Sequence, residues 1–139
     1  MTPEDMSDLH TRAFPNARDW SAAEFETLLE KPTTHLSISA HGMALGQLVA
    51  PDCDLLFIAI DPAQQGKGHG KALLSTFLEQ IRKKGATRCI LEVNSEDHKT
   101  IDFYYSAGFH EINRLKAYYT WSNGSKTDAC IMERRLSSV

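Results

Sequence analysis

Three glycines at alternate positions, Gly66, Gly68 and Gly70, stand between the apolar run Leu55 to Ile60 and an amphipathic segment with apolar residues at Leu73, Leu74, Phe77, Leu78 and Ile81. Further on, one carboxylate, Glu92, is set inside the apolar stretch Cys89-Ile90-Leu91-Glu92-Val93. These are the residues whose types and spacing point to chemistry. Glycine has no Cβ, so the backbone N–H groups of such a loop can turn toward a ligand without obstruction. A helix beginning there adds first-turn N–H groups that lack internal partners, together with the positive end of its dipole, and this combination suits a phosphate. A glycine-rich turn with no ligand is the plainer reading of the loop taken alone.

Spacing narrows the choice. A dinucleotide fingerprint needs G-x-G-x-x-G, but the third glycine position falls on Lys71 counted from Gly66 and on Leu73 counted from Gly68. A triphosphate loop needs G-x-x-x-x-G-K-[ST], yet Gln65 stands at the first glycine position and Ala72 follows Gly70-Lys71. Glu92 poses a separate question, because a carboxylate buried in an apolar strand is costly unless paired or neutralised. One reading is a solvated strand-end glutamate; the other is a partly desolvated base with raised proton affinity. Tyr104 and Tyr105 follow on a short helical pattern with Ile101, where a tyrosine is most simply a core residue with a hydrogen-bonded hydroxyl.

The elements that must position these groups follow from periodicity and punctuation. Glu4 to Phe14 has helical spacing and closes at Pro15; Ser21 and Glu24 form a capping box for a second helix that ends at Pro32. Leu36–Ala40 and Met43–Ala50 read as a hairpin about His41-Gly42, with Leu55–Ile60 as a third strand. The amphipathic segment after the glycines ends in Arg82-Lys83-Lys84 and Gly85, a C-terminal cap. Cys89–Asn94 is then a strand paired in parallel with the third by a right-handed crossover. A helix from His98 to Ala107 stops at Gly108, and strands Phe109–Leu115 and Asp128–Leu136 flank a polar loop at Ser122-Asn123-Gly124-Ser125. The expected architecture is α/β, in the order ααβββαβαββ, with residues 1–139 forming a single domain.

Composition excludes several function classes. With 42% hydrophobic and 24% charged residues the 139-residue chain has the make-up of a soluble globular protein, and no run approaches a bilayer span. The start lacks a secretory signal's basic and apolar regions, so the expected location is the cytoplasm. Cys53, Cys89 and Cys130 are odd in number and far apart, and the six histidines show no zinc-ligand spacing; neither a disulfide framework nor a metal is expected. A formal net charge of -3 provides no basic field for nucleic acid.

Gln65-Gly66-Lys67-Gly68-His69-Gly70 resembles the Q/R-x-x-G-x-G/A signature of the GCN5-related N-acetyltransferases. Leu91-Glu92-Val93, followed by Asp97, Thr100, Phe103-Tyr104 and Gly108-Phe109, resembles that superfamily's L-E-V...N-x-x-A-x-x-L-Y-x-x-x-G-F pattern in register with the loop. The resemblance as a whole covers about four-fifths of the chain. Ala13-Phe14-Pro15, Trp20-Ser21, Tyr118-Tyr119 and Asp128-Ala129-Cys130-Ile131-Met132 are most similar to the bacterial members that acetylate the N-terminal alanine of ribosomal protein S18. The resemblance implies a mixed, mostly antiparallel sheet with a central strand-helix-strand crossover, although a helix starting almost at Met1 leaves little room for the family's first edge strand. It implies acetyl-CoA as co-substrate, with Ile58, Ala59 and Ile60 along the pantetheine arm and Gln65, Gly66, Lys67, Gly68, His69, Gly70 and Lys71 around the pyrophosphate. Glu92 becomes the general base and Tyr104 the general acid. Asp97 takes the family's Asn position beside the cofactor, where it also reads as a helix N-cap. The acceptor is a protein N-terminus, or alternatively a small amine or lysine side chain, handled by a monomer or weak dimer; a non-catalytic acyl-CoA-binding module is the further alternative. The stretch from Tyr118 to Asp128 reads as an acceptor loop.

Overall fold

A computed structural model describes residues 1–137; Ser138 and Val139, the end of the expected domain, lie outside the described residues. Helix α1 (Pro3–Ala13) starts at a capping box in which Thr2 and Asp5 satisfy each other's backbone N–H groups, and α2 (Ala22–Glu30) starts at the corresponding box of Ser21 and Glu24. Strands β1 (Thr34–Ser39) and β2 (Gly42–Val49) form the expected hairpin, and β3 (Asp52–Ile60) returns along β2. A 3-10 turn, Pro62–Gln64, leads to α3 (His69–Lys83). That helix ends in a Schellman arrangement: Gly85, at φ +101°, lets Ala86 N–H reach the Ile81 carbonyl at 3.0 Å and its own N–H reach Arg82 at 3.0 Å. Then follow β4 (Arg88–Asn94), α4 (His98–Ser106), β5 (His110–Thr120) and β6 (Lys126–Arg135).

The six strands lie in the order β1-β2-β3-β4-β6-β5, and β3–β4 is the parallel pair in an otherwise antiparallel sheet. Among the described residues no strand precedes α1. Leu73, Leu74, Phe77, Leu78 and Ile81 of α3 pack on one sheet face against Cys53, Leu55, Leu91, Val93 and Met132. Met6, Leu9 and Phe25 from α1 and α2 cover Met43, Leu45, Phe57 and Ala59 on the other.

One irregularity shapes everything beyond it. Leu45 pairs with Phe57 and Gly46 with Leu55, so Leu56 is an extra residue, a β-bulge left 41% exposed. Because side chains alternate along a strand, one inserted residue reverses the phase: Cys53 and Leu55 face α3, whereas Phe57 and Ala59 face α1 and α2. The bulge also bends β3 away from its parallel neighbour. Pairing with β4 is confined to Asp52↔Arg88, Cys53↔Cys89 and Asp54↔Ile90, after which the two strands part.

Two boundaries differ from those expected. β3 begins at Asp52, ahead of Leu55, because Asp52 takes both arms of the Arg88 guanidinium at 3.1 Å and secures the first register pair. The Tyr118 to Asp128 stretch is largely a hairpin: Tyr119 pairs with Thr127 and Thr120 with Lys126 around a short turn closed by Trp121 N–H to Ser125 at 2.9 Å. Tyr and Thr favour extended backbone, and their pairing across the turn outweighs its polar composition.

Candidate active site

The loop expected to hold a phosphate has an open, uncapped helix start. Gly66 and Gly68 adopt φ +78° and +85°, Gly68 is the N-cap of α3, and no side chain caps the helix. The first helical bond runs from Ala72 to the Gly68 carbonyl at 3.1 Å, so the amides of His69, Gly70 and Lys71 precede it and have no helical acceptor. A Cβ built on Gly66 or Gly68 meets nothing within 4 Å, which means backbone conformation, not crowding, requires glycine there. Gln65 turns inward, donating from its side chain to the Ile60 carbonyl at 3.2 Å, and so ties the end of β3 to the loop. Lys67 donates to Gln64 at 3.4 Å, and the His69 ring lies 4.4 Å from that of His41 on the β1–β2 turn.

The parted strands lead directly to this loop. Ile60 is buried and Ile58 half-buried against the α3 cluster, while Ala59 is buried against α1 and α2. Past Asp54 the β3 edge that faces β4 has no ladder partner there. The two strands, each paired on its other side, therefore leave a cleft between facing edges that have no ladder with each other, next to the unpaired helix amides.

Glu92 lies at the other wall of that cleft, and of its two readings the structure has the solvated one. It is exposed, because strand alternation sends Leu91 and Val93 into the core and Glu92 to the opposite face. Its carboxylate accepts a hydrogen bond from the Tyr119 hydroxyl at 3.3 Å. Tyr119 comes from β5 and was not singled out by its chemistry; the Tyr118-Tyr119 pair is visible in the sequence, but nothing local links it to Glu92. Burial, reinforced by the adjacent Glu92 charge, pushes the Tyr119 hydroxyl well above an ordinary phenol. A backbone kink sets its position: Ala117 adopts φ +49° and its N–H is held by the Asp128 carboxylate at 2.8 Å.

Tyr104 is 8% exposed, on α4, with its ring 5.1 Å from Phe103 and 5.4 Å from Phe109. No described residue hydrogen-bonds its hydroxyl, contrary to the plain core reading, and that oxygen is not among the sealed, unpartnered atoms. Burial raises its proton affinity above the usual tyrosine value, with smaller contributions from Cys89 and Asp97. Asp97 accepts from Thr100 N–H at 3.2 Å as the N-cap of α4, the role its residue type suggested. Cys89 is fully buried beside Cys53, and their contact together with burial pushes the thiol up, away from thiolate. Among the described residues no three His, Cys, Asp or Glu side chains cluster to hold a metal, and no helix is long and apolar enough to cross a membrane.

Known proteins share this fold. Residues 4–109 match the acetyltransferase (GNAT) family model. The chain is 30% identical over 132 residues to the [ribosomal protein bS18]-alanine N-acetyltransferase of Escherichia coli, across 92% of this chain and 88% of that one. The crystal structure of the ribosomal-protein-S18-alanine N-acetyltransferase from Escherichia coli superposes with a TM-score of 0.82 at 28% identity, covering 96% of this chain and 86% of that chain. The fold also matches a chain of the NatC complex bound to Gag peptide and CoA, with a TM-score of 0.73 at 16% identity over 97% of this chain and 92% of that chain.

Proposed function

The chain belongs to the GNAT acetyltransferase family, and from that premise we propose that it moves an acetyl group from acetyl-CoA to the N-terminal amine of a protein, with the alanine terminus of ribosomal protein bS18 as the first acceptor to try. The observation that carries this reading is the parting of β3 from β4 beyond Asp54, directly beside an uncapped helix start. Free strand-edge groups along Ile58, Ala59 and Ile60 suit an extended amide-bearing arm, and Gly66 to Lys71 suits the pyrophosphate at its end. Asp97 stays with α4 as its cap, an anion near an anionic ligand with a structural task of its own.

Residues of this chain then divide the chemistry of direct transfer, in which the amine attacks the thioester and no acyl-enzyme forms. Glu92, through water, takes a proton from the ammonium form of the acceptor. Strand amides near Ile60 face the oxygen on which negative charge develops. The Tyr104 hydroxyl donates to the departing sulfur. Residues 1–139 act as one catalytic domain in this reading.

Two measurements test it. Gly68→Val puts a branched side chain into the open space at the loop and must hold the left-handed φ of +85° that glycine adopts there, at a cost of about 1–2 kcal/mol. We expect the variant to remain folded and to bind acetyl-CoA at least roughly tenfold more weakly, since charge-assisted bonds to phosphate are individually strong; unchanged affinity by calorimetry refutes the phosphate site. For the acceptor, a panel of peptides is incubated with acetyl-CoA and CoA release is followed. Acetylation of a bS18-like alanine start, abolished by blocking its N-terminus, is the expected result. Turnover confined to lysine side chains or small amines replaces the acceptor assignment, and binding without any turnover replaces the enzyme by an acyl-CoA-binding module.

A further inference from the structure

We infer that Tyr119 is a positioning residue for Glu92, fixing the orientation of the carboxylate from the β5–β6 hairpin; this rests on the reading of Glu92 as the base. Glu92 is exposed, and an exposed glutamate samples several rotamers unless something holds it. The hydroxyl of Tyr119, 3.3 Å away, is the one described side-chain donor to its carboxylate. Tyr119 is itself confined. Tyr118 meets its ring edge-on at 5.1 Å and 84°, and Trp121 lies against it at 5.8 Å and 36°. Trp121 is in turn fixed by its indole N–H, which donates to Thr127 Oγ1 on β6 at 2.9 Å. The hairpin register, Tyr119 opposite Thr127 and Glu92 opposite Ile131, puts both groups on one face of the sheet. Thr127, Trp121, Tyr119 and Glu92 thus form a continuous chain of contacts from the hairpin to the base.

The length of the bond sets the size of the effect. A strong hydroxyl-to-carboxylate bond is roughly 2.5–2.7 Å, so this one orients more than it binds. Losing it should cost about tenfold, well below the cost of losing the base itself. The ionisable groups around the Tyr119 hydroxyl are Glu92, Tyr118 and Cys130, of which Glu92 is its hydrogen-bond partner.

The test is a double-mutant cycle on one alanine-start peptide: parent, Glu92→Gln, Tyr119→Phe and the double variant, with kcat and KM resolved. Tyr119→Phe should lower kcat about tenfold, leave KM for acetyl-CoA unchanged, and have almost no further effect in the Glu92→Gln background. An equal factor in both backgrounds shows that Tyr119 acts independently of Glu92 and overturns the inference, as does parental kcat in Tyr119→Phe. Full activity of Glu92→Gln is a different failure, that of the base assignment itself. Should Glu92→Gln leave too little activity for the cycle, the side-chain rotamers of Glu92, read from NMR scalar couplings, decide. One rotamer should dominate in the parent and several should average in Tyr119→Phe, and couplings unchanged by the substitution overturn the inference.

Discussion

Glu92→Gln should lower kcat/KM by about 10²–10⁴-fold at pH 7 and leave acetyl-CoA affinity nearly unchanged. An N-terminal amine has a pKa of about 8, so only roughly a tenth of it is neutral at that pH and the remainder must lose a proton before it can attack. Glutamine keeps the shape of the side chain and can still accept from Tyr119, but it cannot take the proton. The sign of the pH dependence follows. Above pH 8 the acceptor arrives neutral without help, and the deficit of the variant should shrink as pH rises; below pH 7 it should be largest. The exposure of Glu92 bears on how the proton travels, because a solvated carboxylate at the cleft wall leaves room for a bridging water. The measurement is kcat/KM against pH for parent and variant on one peptide. Undiminished activity at neutral pH would assign the base to another group or to water alone.

Much of the framework was legible because it is local. The Ser21–Glu24 capping box, the glycine stop after Lys84 and the order of elements are read from residues within a turn of one another, and the structure has each of them where the sequence places it; the Thr2–Asp5 box is equally local but was not read. What was not legible depends on pairing. Nothing in Leu55-Leu56-Phe57 announces a bulge; it exists because Gly46 and Leu45 of β2 register on either side of Leu56. The cleft that follows is consequently invisible in sequence except through resemblance. Which of its two readings Glu92 takes was not legible for a related reason: a run flanked by apolar residues can be covered on both faces, yet α1 and α2 cluster with Met43, Leu45, Phe57 and Ala59 of β2 and β3 and leave Glu92 on β4 exposed. The contact between Glu92 and Tyr119 joins residues 27 positions apart and requires β6 to be inserted between β4 and β5, which no periodicity signals.

Tyr104→Phe should also slow turnover by about 10²-fold or more, and its deficit should persist into alkaline solution, where that of Glu92→Gln fades. The substitution removes one oxygen and keeps the ring that packs against Phe103 and Phe109. That oxygen has no described hydrogen-bond partner to abandon, so the melting temperature should change little. A loss of activity without loss of stability would separate chemistry from packing. An ordinary tyrosine ionises near pH 10 and burial pushes Tyr104 higher, so the parent should keep its donor through the alkaline range in which the Glu92→Gln deficit fades. The same burial makes the hydroxyl a weaker acid, so hydrogen bonding to the sulfur as charge develops there should contribute more than complete proton transfer. Parallel pH profiles for the two variants would contradict this division of labour, since they would place Tyr104 on the amine side of the reaction. Parental activity in Tyr104→Phe would return the residue to the core alone, and the departing thiolate would then take its proton from solvent.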